Sequence, residues 1–235
     1  MFGTLNLRDL QQQSIDHKAI ETHRLETLLR SINYPFLKIG SASNEHQPPD
    51  QSNTNYLKQL IDQPLLQLRF SYGDELTLHF GNPQQYSSPK LQHLVKGSYI
   101  IGARASPWLL FNPDGIFLGY DEEKSEFQSI SRRVNKQEIK TNVNLIQSGT
   151  LIDAADLFTI QDLENAWGFG LWLHLANGSL LLIIPNSGKE KILQDEEVAD
   201  WEIFMPNNLY LRVGPGLKGS YLANNCEIFS FSNQL

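Results

Sequence analysis

Histidines, paired acidic residues, one cysteine and a glycine-rich loop are the residues of this chain equipped for chemistry, and their spacing decides how far each can go. The histidines are scattered: His17, His23, His46, His79, His93 and His174. A zinc site built on His79 and His174 needs partner ligands at defined spacing, and no His-x-x-x-His or Glu-x-x-His pattern lies near either. Both read as residues of polar strand faces, with His79 pointing to solvent. Asp121-Glu122-Glu123 and Asp195-Glu196-Glu197 offer oxygen ligands but lack the D-x-D-x-D-G spacing that wraps a chain around calcium, so they read as solvated loops. Nothing there separates a general acid from a general base. The run Val213-Gly214-Pro215-Gly216-Leu217-Lys218-Gly219-Ser220 departs from G-x-x-x-x-G-K-[ST] and leads into Tyr221-Leu222 rather than into a helix, so it reads as a turn. No G-x-S-x-G elbow occurs, and Cys226 sits in the strand-like Cys226-Glu227-Ile228-Phe229 without a catalytic neighbourhood. No catalytic residue, metal or cofactor is expected.

The elements that must position any site show an internal duplication. Trp108-Leu109-Leu110-Phe111-Asn112-Pro113-Asp114-Gly115-Ile116-Phe117-Leu118 aligns without a gap on Trp201-Glu202-Ile203-Phe204-Met205-Pro206-Asn207-Asn208-Leu209-Tyr210-Leu211. Trp, Phe, Pro and the final Leu are identical, and Phe117 stands opposite Tyr210. A Trp that recurs beside an identical Phe behaves as a core position rather than a ligand platform. Upstream, Leu66 to Gly73 is set against Leu171 to Gly178, which places Arg69 opposite His174. From glycine to tryptophan the first copy spends 35 residues and the second 23, a 12-residue excess between Gly81 and Pro107. Additions to one copy of a duplicated scaffold fall in loops, where function is grafted.

Around these copies the pattern is period-two. Leu66, Leu68 and Phe70 alternate with Gln67 and Arg69, and Leu76, Leu78 and Phe80 alternate with Thr77 and His79. Leu180 to Ile184 is apolar throughout, which predicts a strand buried on both faces. Asp153-Ala154-Ala155-Asp156-Leu157 is poor strand material and suggests a helical turn. The first 32 residues differ in texture: a helix is expected with Ser14 or Asp16 as cap and Ile20, Leu25, Leu28, Leu29 and Ile32 on its apolar face, ended by Pro35 and Gly40. Residues 41–55, with Pro48-Pro49, read as a polar linker.

The chain has 235 residues, 40% hydrophobic and 19% charged, enough for one large domain or two small ones. A formal charge of -7 and the absence of any basic run argue against nucleic acid. The single cysteine precludes an internal disulfide, and the N-terminus lacks a basic stretch followed by an apolar core. No apolar run is long enough for a membrane-spanning helix. These features point to a cytoplasmic protein with no membrane association.

The expected fold is mainly β, two tandem copies of an antiparallel four-strand module forming a sandwich or open barrel, with an N-terminal helix. The expected parts are a helical segment over 1–40, a linker over 41–55 and a duplicated β domain over 56–235, with copies at about 65–120 and 168–214. The leading function is a non-catalytic binding or adaptor protein with a protein partner, recognised through Tyr86, His93, Tyr99 and Arg104 on the elaborated segment. A second reading is an enzyme or small-ligand protein whose cleft between the copies is lined by Arg69, His79 and His174; a third is a subunit of a larger assembly. On the leading reading the helix is detachable, and removing residues 1–50 leaves a folded β core.

Overall fold

The computed structural model describes residues 22–30, 34, 36–41, 56–70, 76–103, 106–111, 117–121, 126–129, 148–161, 167–185, 201–213 and 220–224. The strands among them are β1 (Lys38–Ser41), β2 (Leu65–Phe70), β3 (Leu76–Gln85), β4 (Val95–Gly102), β5 (Trp108–Phe111), β6 (Phe117–Asp121) and β7 (Glu126–Ser129), then β8 (Ile152–Gln161), β9 (Trp167–Leu175), β10 (Leu180–Ile183), β11 (Trp201–Met205), β12 (Leu209–Val213) and β13 (Ser220–Asn224). A helix, α1, covers 22–30. The strands form two antiparallel sheets, one ordered β1-β8-β9-β10-β5-β6-β7 and the other β13-β12-β11-β4-β3-β2. The sheets pack face to face as a sandwich around one apolar core drawn from both.

The duplication governs this topology. The first copy lays β2-β3-β4 in one sheet and β5-β6-β7 in the other; the second lays β8-β9-β10 and β11-β12-β13 in the reverse assignment. The repeat is therefore six strands long, two more than the pattern read from sequence. The Trp hairpins match residue for residue: Phe111 pairs with Phe117 as Phe204 pairs with Tyr210, and Leu110 with Leu118 as Ile203 with Leu211.

Upstream, the sequence alignment slips by one strand. The counterpart of β9 is β3, not β2, so His174 corresponds to His79 rather than to Arg69: His174 faces Leu180 and Ala154 where His79 faces Ile100 and Gln67. The same irregularity recurs in β2 between Leu65 and Gln67 and in β8 between Ile152 and Ala154. At the pseudo-twofold axis the segments before β2 and β8 bridge one another through Pro64 and Leu151. Asp62 N–H donates to Ile152 O at 2.8 Å and Gly149 N–H to Leu65 O at 2.7 Å, both residues having positive φ, 63° and 94°. The helical turn expected near Leu151 is strand β8 instead. Pairing along β9 overrides the weak propensity of Asp153 to Asp156.

Trp108 and Trp201 are fully buried in the inter-sheet core, and Trp201 Nε1–H donates to Phe169 O at 2.9 Å. A second core lies on the outer face of the seven-stranded sheet. Leu25 and Leu29 of α1 pack there with Leu109, Phe158, Trp172 and Leu182. This gives the apolar run Leu180–Ile183 its two buried faces, with Leu181 and Ile183 between the sheets and Leu180 and Leu182 under the helix. The first 40 residues are thus no detachable appendage: α1 covers an apolar face, and β1 completes the sheet beside β8.

Two outcomes are expected. Trp108→Ala or Trp201→Ala lowers stability by roughly 3–5 kcal/mol in chemical denaturation, the range for deleting a core aromatic. Removing residues 1–41 uncovers Trp172, Leu109 and Leu182, and the product aggregates in size-exclusion chromatography. A monomeric, cooperatively melting truncation would show that α1 is dispensable.

Candidate functional site

The two copies differ most at one hairpin. In copy two, β9 returns to β10 through a tight turn in which Asn177 Oδ1 accepts the Ser179 N–H at 3.0 Å and Gly178 adopts φ 84°. Six positions separate His174 from its partner Leu180, whereas 21 separate the equivalent His79 from Ile100. The excess is an extension of the hairpin rather than a free loop. Strand β3 runs on past a register shift between Phe80 and Pro83, and Pro83, Gln84 and Gln85 pair with Gly97, Lys96 and Val95. A 3-10 turn at Pro89–Leu91, with Leu91 buried, lies between the two strands of this arm.

Two glycines bend the arm. Gly81 has φ 80°, open to glycine at little cost, and a Cβ there would meet Ser98 Oγ at 2.3 Å. A Cβ on Gly97 would lie 2.4 Å from Phe80 O, so the two backbones touch where only a hydrogen fits. The bent arm is tied down from β2. Gln67 Nε2 and Arg69 Nη2 both donate to Val95 O, at 2.6 and 3.3 Å, although β3 lies between their strands, and Arg69 Nε donates to Gln67 Oε1 at 3.0 Å.

His79 is held within this arrangement. Its Nδ1 accepts the Gly97 N–H at 3.2 Å, and only 2% of the residue is exposed. Burial, then the nearby charges of Arg69 and Lys96, lower its pKa from 6.5 to about 4, so the imidazole is neutral and its Nδ1 remains an acceptor. Lys96 Nζ stands 5.5 Å from the centre of the Tyr86 ring. Burial lowers the pKa of Lys96. Burial raises that of the Tyr86 hydroxyl, and the charge of Arg69 opposes the rise. Arg69, Lys96, Tyr86 and His79 therefore form one electrostatic neighbourhood on the outer side of β2-β3-β4.

The residues singled out from sequence divide as follows. Tyr86 stands half-buried just past the end of β3, beside Lys96, and His93 is exposed in the turn before β4. Tyr99 packs against the inter-sheet core and serves the scaffold. Arg104 lies outside the described residues, as do Cys226 and residues 214–219. Arg69 and His79 come together, but His174 does not join them: it lies on the outer side of the other sheet, 3.5 Å from Asp153. No cleft lined by these three lies between the copies, because that junction is filled by Trp108, Trp201, Leu171 and Ile101. His79 is buried rather than solvent-facing, since the Gly97 backbone lies against it. Sequence reasoning missed Lys96 and Gln67. It began the strand at Ser98 and read Gly81-Asn82-Pro83 as a break, where the structure keeps both strands paired through a bulge.

Among the described residues no group of three His, Cys, Asp or Glu side chains is placed to hold a metal ion, and no helix is long and apolar enough to cross a membrane. Comparison with protein-family models, curated proteins and solved structures finds no match to this chain.

The lowered pKa of His79 fixes the sign of a pH effect. The unfolded chain takes up its proton near pH 6.5, the folded chain only near 4. Stabilisation from the neutral imidazole is complete above about 6.5 and is lost as pH falls toward 4, by up to roughly 3 kcal/mol. Denaturant midpoints compared at pH 7 and pH 4.5 should show this loss, and His79→Gln should reduce it. Gly97→Ala, which pushes a methyl into the Phe80 backbone, should expose His79 and raise its pKa toward 6.5 in an NMR titration.

Proposed function

We propose that this protein is a non-catalytic binding protein that acts through protein-protein contacts, and that the β3-β4 arm with the adjoining face of β2 is its recognition surface. One observation carries the reading: two outer faces made equivalent by the internal symmetry have diverged. On one, Trp172, Leu180 and Leu182 are apolar and lie under α1. On the other, the matching positions are Thr77, Ile100 and Gly102, and the chain has added an arm that presents Tyr86, Lys96 and the exposed His93 and Val95. An extension built onto one copy of a symmetric scaffold, bearing aromatic and cationic side chains, has the composition of a contact surface.

The apolar filling between the sheets disfavours the rival reading, a small-ligand or enzymatic cleft between the copies. A role as a subunit of a larger assembly would place the same surface in permanent use, and an obligate partner would co-purify in fixed ratio.

The test is to recover the partner by crosslinking and affinity purification of the full chain, then to measure its affinity for Tyr86→Ala/His93→Ala. Loss of about tenfold with an unchanged melting temperature is expected, in keeping with central aromatic contacts worth more than 1 kcal/mol each. Unchanged affinity would place the recognition surface elsewhere.

A further inference from the structure

We propose that Arg69, Lys96 and Tyr86 form a receptor for a carboxylate, an Asp or Glu side chain presented by an acidic segment of the partner. The inference rests on the binding reading above and specifies the chemistry of that surface. Across a chain of net charge -7, two cations have been brought together beside one histidine, and neither forms an ion pair within the chain. Arg69 instead uses neutral acceptors, Gln67 Oε1 and Val95 O. These bonds hold the guanidinium in place without neutralising it and leave part of its donor fork unused.

Lys96 is held over the Tyr86 ring, with no described carboxylate in contact. Both cations are half-buried, which removes some of the water that would otherwise screen them. The central neighbour, His79, cannot help neutralise them. Its Nδ1 is occupied by the Gly97 N–H, and it carries no negative charge.

The receptor is also built rather than incidental. Lys96 belongs to the arm that copy two lacks. Arg69 occupies the position at which copy two has Asp156, each standing two residues past the paired bulge. The duplication thus placed a cation where its twin holds an anion, beside the one hairpin that was lengthened. A carboxylate fits the remaining donors: an unused guanidinium N–H, the Lys96 ammonium and the Tyr86 hydroxyl converge from separate elements. Charge-assisted bonds of this kind are short and directional. A phosphate would ordinarily be cradled by free backbone N–H groups, and on this stretch the β3-β4 ladder engages them.

The experiment is an amide NMR titration of the full chain with three probes: an octapeptide of alternating glutamate and glycine, its glutamine counterpart, and inorganic phosphate. The expected result is saturable shifts at Val95, Lys96 and Gly97 with the glutamate peptide alone. Affinity should fall roughly tenfold in Arg69→Gln/Lys96→Gln and decline with added salt. That variant should melt like the parent, and Lys96→Arg, which keeps the charge, should retain binding. Equal binding by the glutamine peptide, undiminished binding by the double variant, shifts with phosphate only, or no shift with any probe would each overturn the proposal. Any of these would leave the binding reading intact if partner affinity still falls in Tyr86→Ala/His93→Ala, so the two failures are distinguishable.

Discussion

The ladders β4-β11 and β10-β5 are the contacts on which the rest of the molecule depends, because each joins a strand of one copy to a strand of the other. Glu202, Ile203 and Phe204 pair with Gly102, Ile101 and Ile100, while Leu109 and Leu110 pair with Leu182 and Leu181. Each copy is divided three strands and three between the sheets, so neither can complete a sheet without the other. The hydrophobic core is shared in the same way: Trp108 enters from the first copy and Trp201 from the second, and both reach it from strands that border an inter-copy ladder. Closure of the sandwich is a long-range event, which ties the packing of every local hairpin to the association of the two halves.

How much of this was legible in the sequence follows from the physics of each signal. The Trp hairpins were legible because a large aromatic, a second aromatic and a proline recur at fixed offsets, which a two-residue strand period cannot imitate by chance. The alignment upstream was not, because successive strands of a meander with one buried face all read as apolar residues at every second position. Leu66 to Phe70 therefore resembles Leu171 to Leu175 as well as Leu76 to Phe80 does. Strand β8 was hidden by Asp153 and Asp156, whose weak strand preference is overcome by cross-strand pairing with β9. Helix α1 was recognisable from Leu25, Leu28 and Leu29, but its docking was not, since an amphipathic period reports that a face is buried and not against what.

The candidate site was harder still. Tyr86 was identifiable as an aromatic in a copy-specific insertion, and Arg69 and His79 as polar residues on one strand face. Their convergence depends on the bend at Gly81 and on the approach of Gly97 to the Phe80 backbone, both features of three-dimensional contact. Glycine in a strand marks a bulge or a close approach without saying which backbone approaches. Lys96, one residue before such a glycine, became meaningful only once the register placed it opposite Gln84.

The two outer faces show how a duplicated scaffold can separate stability from recognition. Apolar residues at the positions of Trp172 and Leu182 require a cover, and the chain supplies one in α1; in exchange that face is closed to partners. The equivalent positions Thr77 and Gly102 impose no such demand, so the opposite sheet remains satisfied by its own ladder and its face is free to diverge. The arm makes use of that freedom without adding a second core. Its attachments are polar and few: the Gly97 N–H on His79, and Gln67 and Arg69 on a single carbonyl of Val95. A partly hydrated, hydrogen-bonded element over a rigid sheet holds Lys96 and Tyr86 in fixed relation while leaving their outer sides uncovered, and recognition needs that combination of order and exposure.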